Sequence, residues 1–261
     1  MSATRESSRT PAVAGNLKEL PPHAPLTQFY PAPEARRGFV SALFDRTAGG
    51  YDRVSALIAF GSDRRYRRQA LLQAGLRPGL KLLDVATGTG LVLRAALELG
   101  LPARDLVGLD LSRGMLKENK KLHRMALVQG MGERLPFRAG SFDFVAMGYA
   151  LRHVADLSVF FSEVWRVLAP SGRVLVLEIT RPKGWLPTRL LRFYLLKVVP
   201  CMAAFLGGRR DAALLMAYYW ATIEQCTSPS TILGALSAAG FMNVCQRTRC
   251  GILSDYRANK E

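Results

Sequence analysis

Short apolar runs alternate with segments of helical period along most of the chain. Leu80, Leu82, Leu83 and Val85 make the first run, which ends in the turn Gly88-Thr89-Gly90; Leu91–Leu97 then has the composition of a helix. Leu106–Leu109 forms a second run closing on Asp110, and Met125–Gln129, Phe142–Met147 and Val174–Ile179 read as three more strands. The last is apolar nearly throughout, the pattern of a strand covered on both faces. Between these runs, Ser112 is placed to cap one helix. Asp156 opens another, with the face Leu157, Phe160, Phe161, Val164, Trp165 and Leu168, and Pro170-Ser171-Gly172 is expected to stop it. Strands alternating with helices predict an α/β fold with a parallel sheet and right-handed crossovers.

The flanks follow other patterns. From Glu34 to Leu76 the period is helical, with Phe39, Val40, Leu43 and Phe44 on one apolar face and Val54, Leu57, Ile58 and Phe60 on another. Residues 35–76 are therefore expected to form a helical lid, and residues 181–225 a helical cap inserted into the strand–helix rhythm. Ser228 or Ser230 starts a further helix ending at Gly240, and Phe241–Arg247 and Gly251–Tyr256 read as closing strands. Residues 1–34 hold six of the fourteen prolines and predict a disordered tail preceding one domain, 35–261.

Composition narrows the function classes. Lys and Arg number 36 against 20 acids, a formal charge of +16 that favours anionic partners. Arg64, Arg65, Arg67 and Arg68 read as a solvated or anion-facing patch, and Lys117, Lys120, Lys121 and Arg124 load another helix. In the 181–225 segment, basic residues interleave with Trp185, Leu186, Leu190 and Phe193, and no acid lies between Glu178 and Asp211. That mixture suits an amphipathic element at an anionic membrane surface, and equally a cap over an active site. No uncharged apolar run is long enough to span a bilayer, and the N-terminus lacks a signal-peptide core. Cys201, Cys226, Cys245 and Cys250 have no metal-ligand spacing, so reduced thiols in a cytoplasmic protein and no metal site are expected.

The chemistry concentrates at the first turn. A strand, a Gly-x-Gly turn and a helix present backbone N–H groups to a nucleotide-like ligand, and an acid twenty residues on, Asp110, can hold a ribose diol. A dinucleotide site normally adds a third glycine, where this chain has Leu93. Asp84-x-x-x-Gly88-x-Gly90 instead resembles motif I of class I S-adenosylmethionine (SAM) methyltransferases.

The longer segments VSALFDRTAGGYD, FGSDRRYRR, DVATGTG, GERLPFRAGSFDFV, YALRHVAD and RVLAPSGRVLVLEITRP resemble the ubiquinone/menaquinone biosynthesis C-methyltransferase family from about Val40 to the C-terminus. The resemblance implies a seven-stranded sheet ordered 3-2-1-4-5-7-6 with an antiparallel last strand. It implies SAM contacts from Ala86, Thr87, Gly88, Thr89 and Gly90, from Asp110 and Leu111, from Met131 and Gly132 near adenine, and from Gly148. The acceptor implied is a phenolic, quinone-like or other lipophilic small molecule, methylated on carbon.

Activation of such a carbon calls for deprotonating the neighbouring hydroxyl. Arg152 is the candidate to stabilise the phenolate and His153, where the family has asparagine, the candidate to take the proton. The alternative for this pair is a purely structural cap on the next helix. Tyr51 and Tyr149 are candidates to contact substrate or simply to pack. O- or N-methylation of a natural product or phospholipid amine is the second functional reading. A nucleic-acid role is disfavoured, because Gly148-Tyr149-Ala150-Leu151 lacks the Asn/Asp-Pro-Pro-aromatic motif of base amino-methylating enzymes. A homodimer stays open at this level.

Overall fold

The computed structural model describes residues 19–58, 62–122, 125–205 and 209–261. Seven strands form one sheet: β1 (Leu82–Val85), β2 (Leu106–Asp110), β3 (Ala126–Gln129), β4 (Phe142–Gly148), β5 (Leu168–Ile179), β6 (Met242–Arg249) and β7 (Leu253–Asn259). Their order, β3-β2-β1-β4-β5-β7-β6, is the one the resemblance implies, and β7 runs antiparallel to both β5 and β6. β1 lies between β2 and β4 and is buried at every position, which accounts for its uninterrupted apolar run.

Helices cover both faces. On one, α3 (Asp63–Gln73) and α4 (Leu91–Glu98) bury Tyr66, Leu71, Val92 and Leu93 with Leu82 and Phe144. On the other, α6 (Leu157–Val167) and α10 (Pro229–Ala238) bury Phe160, Phe161, Val164 and Leu236 with Val145 and Val176. A third cluster forms a cap. It joins α1 (Arg36–Thr47), α2 (Tyr51–Ile58), α7 (Trp185–Phe193), a π turn at Tyr194–Val198, α8 (Val199–Phe205) and α9 (Arg209–Gln225). Between β2 and β3 lies α5 (Arg113–Leu122), whose N-terminus Ser112 Oγ caps by accepting from Met115 N. Asp156 and Ser228 cap α6 and α10 as expected.

Three expectations are corrected. Residues 19–34 are an ordered part of the domain: Leu26 and Tyr30 are buried, Leu157 N donates to Leu20 O (3.0 Å), and Thr227 N donates to Pro22 O (2.6 Å). Prolines here fix an extended strap instead of freeing a tail. Residues 1–18, Phe60 and Arg124 lie outside the described residues. Second, α6 ends at Val167, and Pro170-Ser171-Gly172 falls within β5, where Leu168 already pairs with Phe142. The register shift between Phe142 and Phe144 absorbs the irregular segment. Third, α3 packs on the sheet, so within 35–76 only α1 and α2 belong to the cap cluster, at the position expected of a lid. Its Arg67 is no surface residue: its Nε reaches both carboxylate oxygens of Asp63 at 2.9 Å, and it is 4% exposed.

Candidate active site

A cavity of about 680 Å³ opens at the carboxyl ends of β1, β2 and β4, within the range of small-molecule sites. Its nucleoside end is built by the loop after β1. Ala86 and Gly88 both adopt left-handed backbone, φ +55° each, which turns the chain sharply from strand toward α4. For alanine that conformation is strained, and it persists because the flanking strand and helix fix the turn. Gly88 N–H donates to Asp110 Oδ2 and Ser112 N–H to Asp110 Oδ1, both at 2.8 Å. A carboxylate has about four lone-pair sites, so each oxygen keeps one for a diol. Burial pushes the Asp110 carboxyl up to about 6, against the pull of those two amides and of the Leu111 amide.

Seven of the implied cofactor residues, Ala86, Gly88, Asp110, Leu111, Met131, Gly132 and Gly148, line this cavity. At Gly132 a Cβ would meet the Phe160 ring at 3.0 Å, a contact tight enough that the ring would have to shift. At Gly148 a Cβ would meet Arg67 Nη1 at 2.6 Å. The remaining three lie behind the wall. Thr87 N–H donates to Leu109 O (2.9 Å), Thr89 Oγ1 donates to Asp52 (2.5 Å), and Gly90, at φ +87°, is the N-cap of α4 against Asn119. The turn is thus as expected, yet only its first half faces the cavity.

The other end is aromatic. Tyr51, Tyr149, Phe44, His153 and Tyr219 line it. Tyr149 has φ +61° and lies under the Arg67 guanidinium, 4.7 Å from its ring centre. Tyr51 Oη and Tyr219 Oη share a 2.7 Å hydrogen bond, and burial raises both phenols above the usual value. His153 stacks on Tyr218 at 5.4 Å and meets Phe44 edge-on at 5.3 Å. Neither imidazole nitrogen has a protein partner, and both are buried. Burial, reinforced by Arg152, Arg36 and His23, holds this histidine well below 6.5, so the ring is neutral near pH 7.

Arg152 is placed differently from its expected direct contact with an acceptor. It is fully buried, absent from the cavity wall, and ion-paired through Nη1 with Glu178. Its Nε donates to Thr222 Oγ1 (3.0 Å), and its guanidinium lies 4.7 Å from the centre of the Tyr219 ring. Its charge is thus matched by Glu178, and its guanidinium meets the cavity wall at the Tyr219 ring. Nor does it pair with Asp156, whose Oδ1 accepts from Ser158 N and Val159 N.

Asp45 and Asp52 were not legible as site residues in the sequence, and Tyr219, in a run that reads as core or a pocket wall, does line the cavity. Asp45 and Asp52 sit inside the quoted segment VSALFDRTAGGYD, and Tyr219 in the uncharged run of α9, but their partners are far away in the chain.

A crevice across the carboxyl ends of β1 and β2, with a glycine turn and a buried acid at the end of β2, on a sheet of this strand order, is that of a class I SAM-dependent methyltransferase. The residues fit the cofactor: Asp110 keeps acceptor capacity for the ribose, and Gly88, where a Cβ would have no neighbour nearer than 4.0 Å, leaves room beside the backbone. The chain belongs to the ubiE/COQ5 methyltransferase family, whose sequence model matches residues 32–260. It is 32% identical over 224 residues to a demethylmenaquinone methyltransferase of Streptomyces griseus, covering 85% of this chain and 94% of that one. It is 35% identical over 214 residues to a ubiquinone/menaquinone biosynthesis C-methyltransferase of Syntrophotalea carbinolica, covering 80% and 88%. In fold it is similar to a SAM-dependent methyltransferase of Thermotoga maritima, with a TM-score of 0.59, 19% identity, and coverage of 85% and 99%.

Proposed function

We propose that this enzyme methylates a ring carbon of a lipophilic, quinol-type phenol, the class of acceptor that the names of its relatives indicate. The observation that carries this reading is the neutral, unpartnered His153 on an aromatic wall of the cavity that also holds Asp110. Apolar rings accommodate a flat, lipophilic ring, and a basic nitrogen among them accepts a phenolic proton. SAM, when bound, supplies an electrophilic methyl group on sulfur.

The chain's own residues do the rest. His153 takes the hydroxyl proton, which places electron density on the ortho carbon of the acceptor. The Tyr51–Tyr219 pair offers a hydroxyl to the acceptor's oxygen, and Arg152 beneath Tyr219 keeps that ring in place. The lid over the cavity excludes water and aligns the reactants. The new C–C bond is balanced by cleavage of the donor's C–S bond and by loss of the ring hydrogen as a proton.

The test is incubation with deuterated-methyl SAM and a demethylated quinol, followed by NMR of the product. Label on a ring carbon supports the proposal; label on oxygen or nitrogen overturns it.

A further inference from the structure

Helix α7 breaks the usual rule for a helix of a folded domain, because none of its nine residues is buried. Trp185 is 75% exposed, Leu190 and Phe193 60% each, and Leu186 49%. At 100° per residue, positions 185, 186, 189, 190 and 193 share one side of the helix. The side chains there are Trp, Leu, Arg, Leu and Phe. The helix is nonetheless well defined at its start: Gly184 turns at φ +94°, Thr188 Oγ1 donates to Gly184 O (2.7 Å), and Pro187 sits in the first turn. Leu191 and the following Tyr194 face inward, packing on the cluster that contains Tyr51, Tyr149 and Tyr219. Tyr194 Oη donates to Leu57 O of the lid at 2.6 Å. The exposed apolar side therefore forms the outside of the wall that surrounds the acceptor end.

Contiguous exposed apolar surface on a helix marks an interaction site. Its surroundings identify the partner. Arg181, Lys183, Arg189, Arg192 and Lys197 are all exposed, and none meets a carboxylate among the described residues. The chain contains no acid between Glu178 and Asp211 to oppose them. An exposed tryptophan with leucine and phenylalanine, bordered by free cations, is complementary to the interface of an anionic bilayer: rings and aliphatic chains enter the headgroup boundary while Lys and Arg stay at the phosphates. No helix among the described residues is long and apolar enough to cross a membrane, so the contact is one of lying on the surface.

We infer that α7 is a docking surface for anionic phospholipid bilayers, seating the cap against the lipid phase from which a lipophilic acceptor is drawn. The purpose of the contact rests on the acceptor class proposed above; the contact itself does not.

The test uses the full chain and vesicles of phosphatidylcholine with or without phosphatidylglycerol. Wild type is expected to co-sediment with the anionic vesicles, to be released by high salt, and to show a blue shift of Trp185 emission on binding. Leu190→Glu and Phe193→Glu alter only exposed side chains, and each is expected to weaken partitioning about tenfold or more with circular dichroism unchanged. Equal partitioning of wild type and variants, or none onto anionic vesicles, overturns the proposal. A dimer abolished by both variants, without vesicle binding, assigns the face to a second copy instead and also overturns it. Turnover of a short-chain, water-soluble quinol without vesicles separates the two readings: it is expected to be the same in wild type and variants, and its absence in wild type counts against the acceptor class alone.

Discussion

Asp52 of the lid accepts a 2.5 Å hydrogen bond from Thr89 Oγ1 in the glycine turn and pairs with Arg94 at 2.7 Å. Asp45 does the same at the neighbouring loop, accepting from Ser112 Oγ (2.6 Å) and Gly114 N (2.8 Å). Two carboxylates on α1 and α2 thus clasp the two loops that hold the nucleoside end. The clasps tie α1 and α2 directly to these two loops.

Asp45→Ala and Asp52→Ala are therefore expected to speed both entry and escape of cofactor. Stopped-flow binding of S-adenosylhomocysteine is expected to show dissociation accelerated more than association, weakening affinity by about tenfold. The clasps are partly exposed, so global stability changes little. Unchanged dissociation rates would rule out the clasp as a kinetic barrier.

The Asp110 carboxyl, held up to about 6 in the free protein, has to be ionised to accept from both ribose hydroxyls. Cofactor affinity is expected to be flat above neutral pH and to fall as pH drops below about 6, approaching about tenfold per unit. Calorimetry across that range measures it. Asp110→Ala is expected to abolish binding, and Asp110→Asn to leave a weaker affinity without the pH dependence.

His153 is neutral well below 6.5, so the base remains available throughout the neutral range. The kcat profile for a quinol is expected to show its acid limb below pH 6.5, as the imidazole gains its proton. His153→Ala is expected to lower kcat by about 10²–10⁴ while leaving cofactor affinity intact. Full turnover in that variant would remove the imidazole from proton transfer.

Arg152→Ala would strand Glu178, which is 2% exposed at its side chain, without a counter-charge. A loss of about 3–5 kcal/mol of stability is expected, read in urea unfolding. Arg152→Lys cannot reproduce the contacts to Glu178 and Thr222 together, and is expected to recover only part of it. If Arg152→Ala folded with native stability and lost only turnover, a positioning role through Tyr219 would give way to a direct catalytic one.

Features encoded locally were legible in the chain. The run ending at Val85, the glycine turn, Asp110 and the caps Ser112, Asp156 and Ser228 each depend on neighbours within a few residues, and pattern alone locates them. What escaped was set by partners distant in sequence. Arg67 reads as one of four surface arginines until Asp63 and Tyr149 are seen to enclose it. Arg152 reads as a free cation until Glu178 and Thr222 meet it. The proline-rich strap reads as disorder because its order comes from Asp156, Leu157 and Thr227, not from itself.

That strap bears on how the enzyme is made. The turn after β1 and Asp110 leave the ribosome early, whereas the seam between Pro22 and Thr227, and Tyr219 itself, wait for the final third of translation. A chain terminated before α9 would carry Phe44, Tyr51, Tyr149 and His153 but lack Tyr219, the partner of the Tyr51 hydroxyl, and the seam that fixes the strap. Completion of the wall around the Tyr51 hydroxyl is thus a late step of synthesis, made by α9 and not by the turn that the sequence displays first.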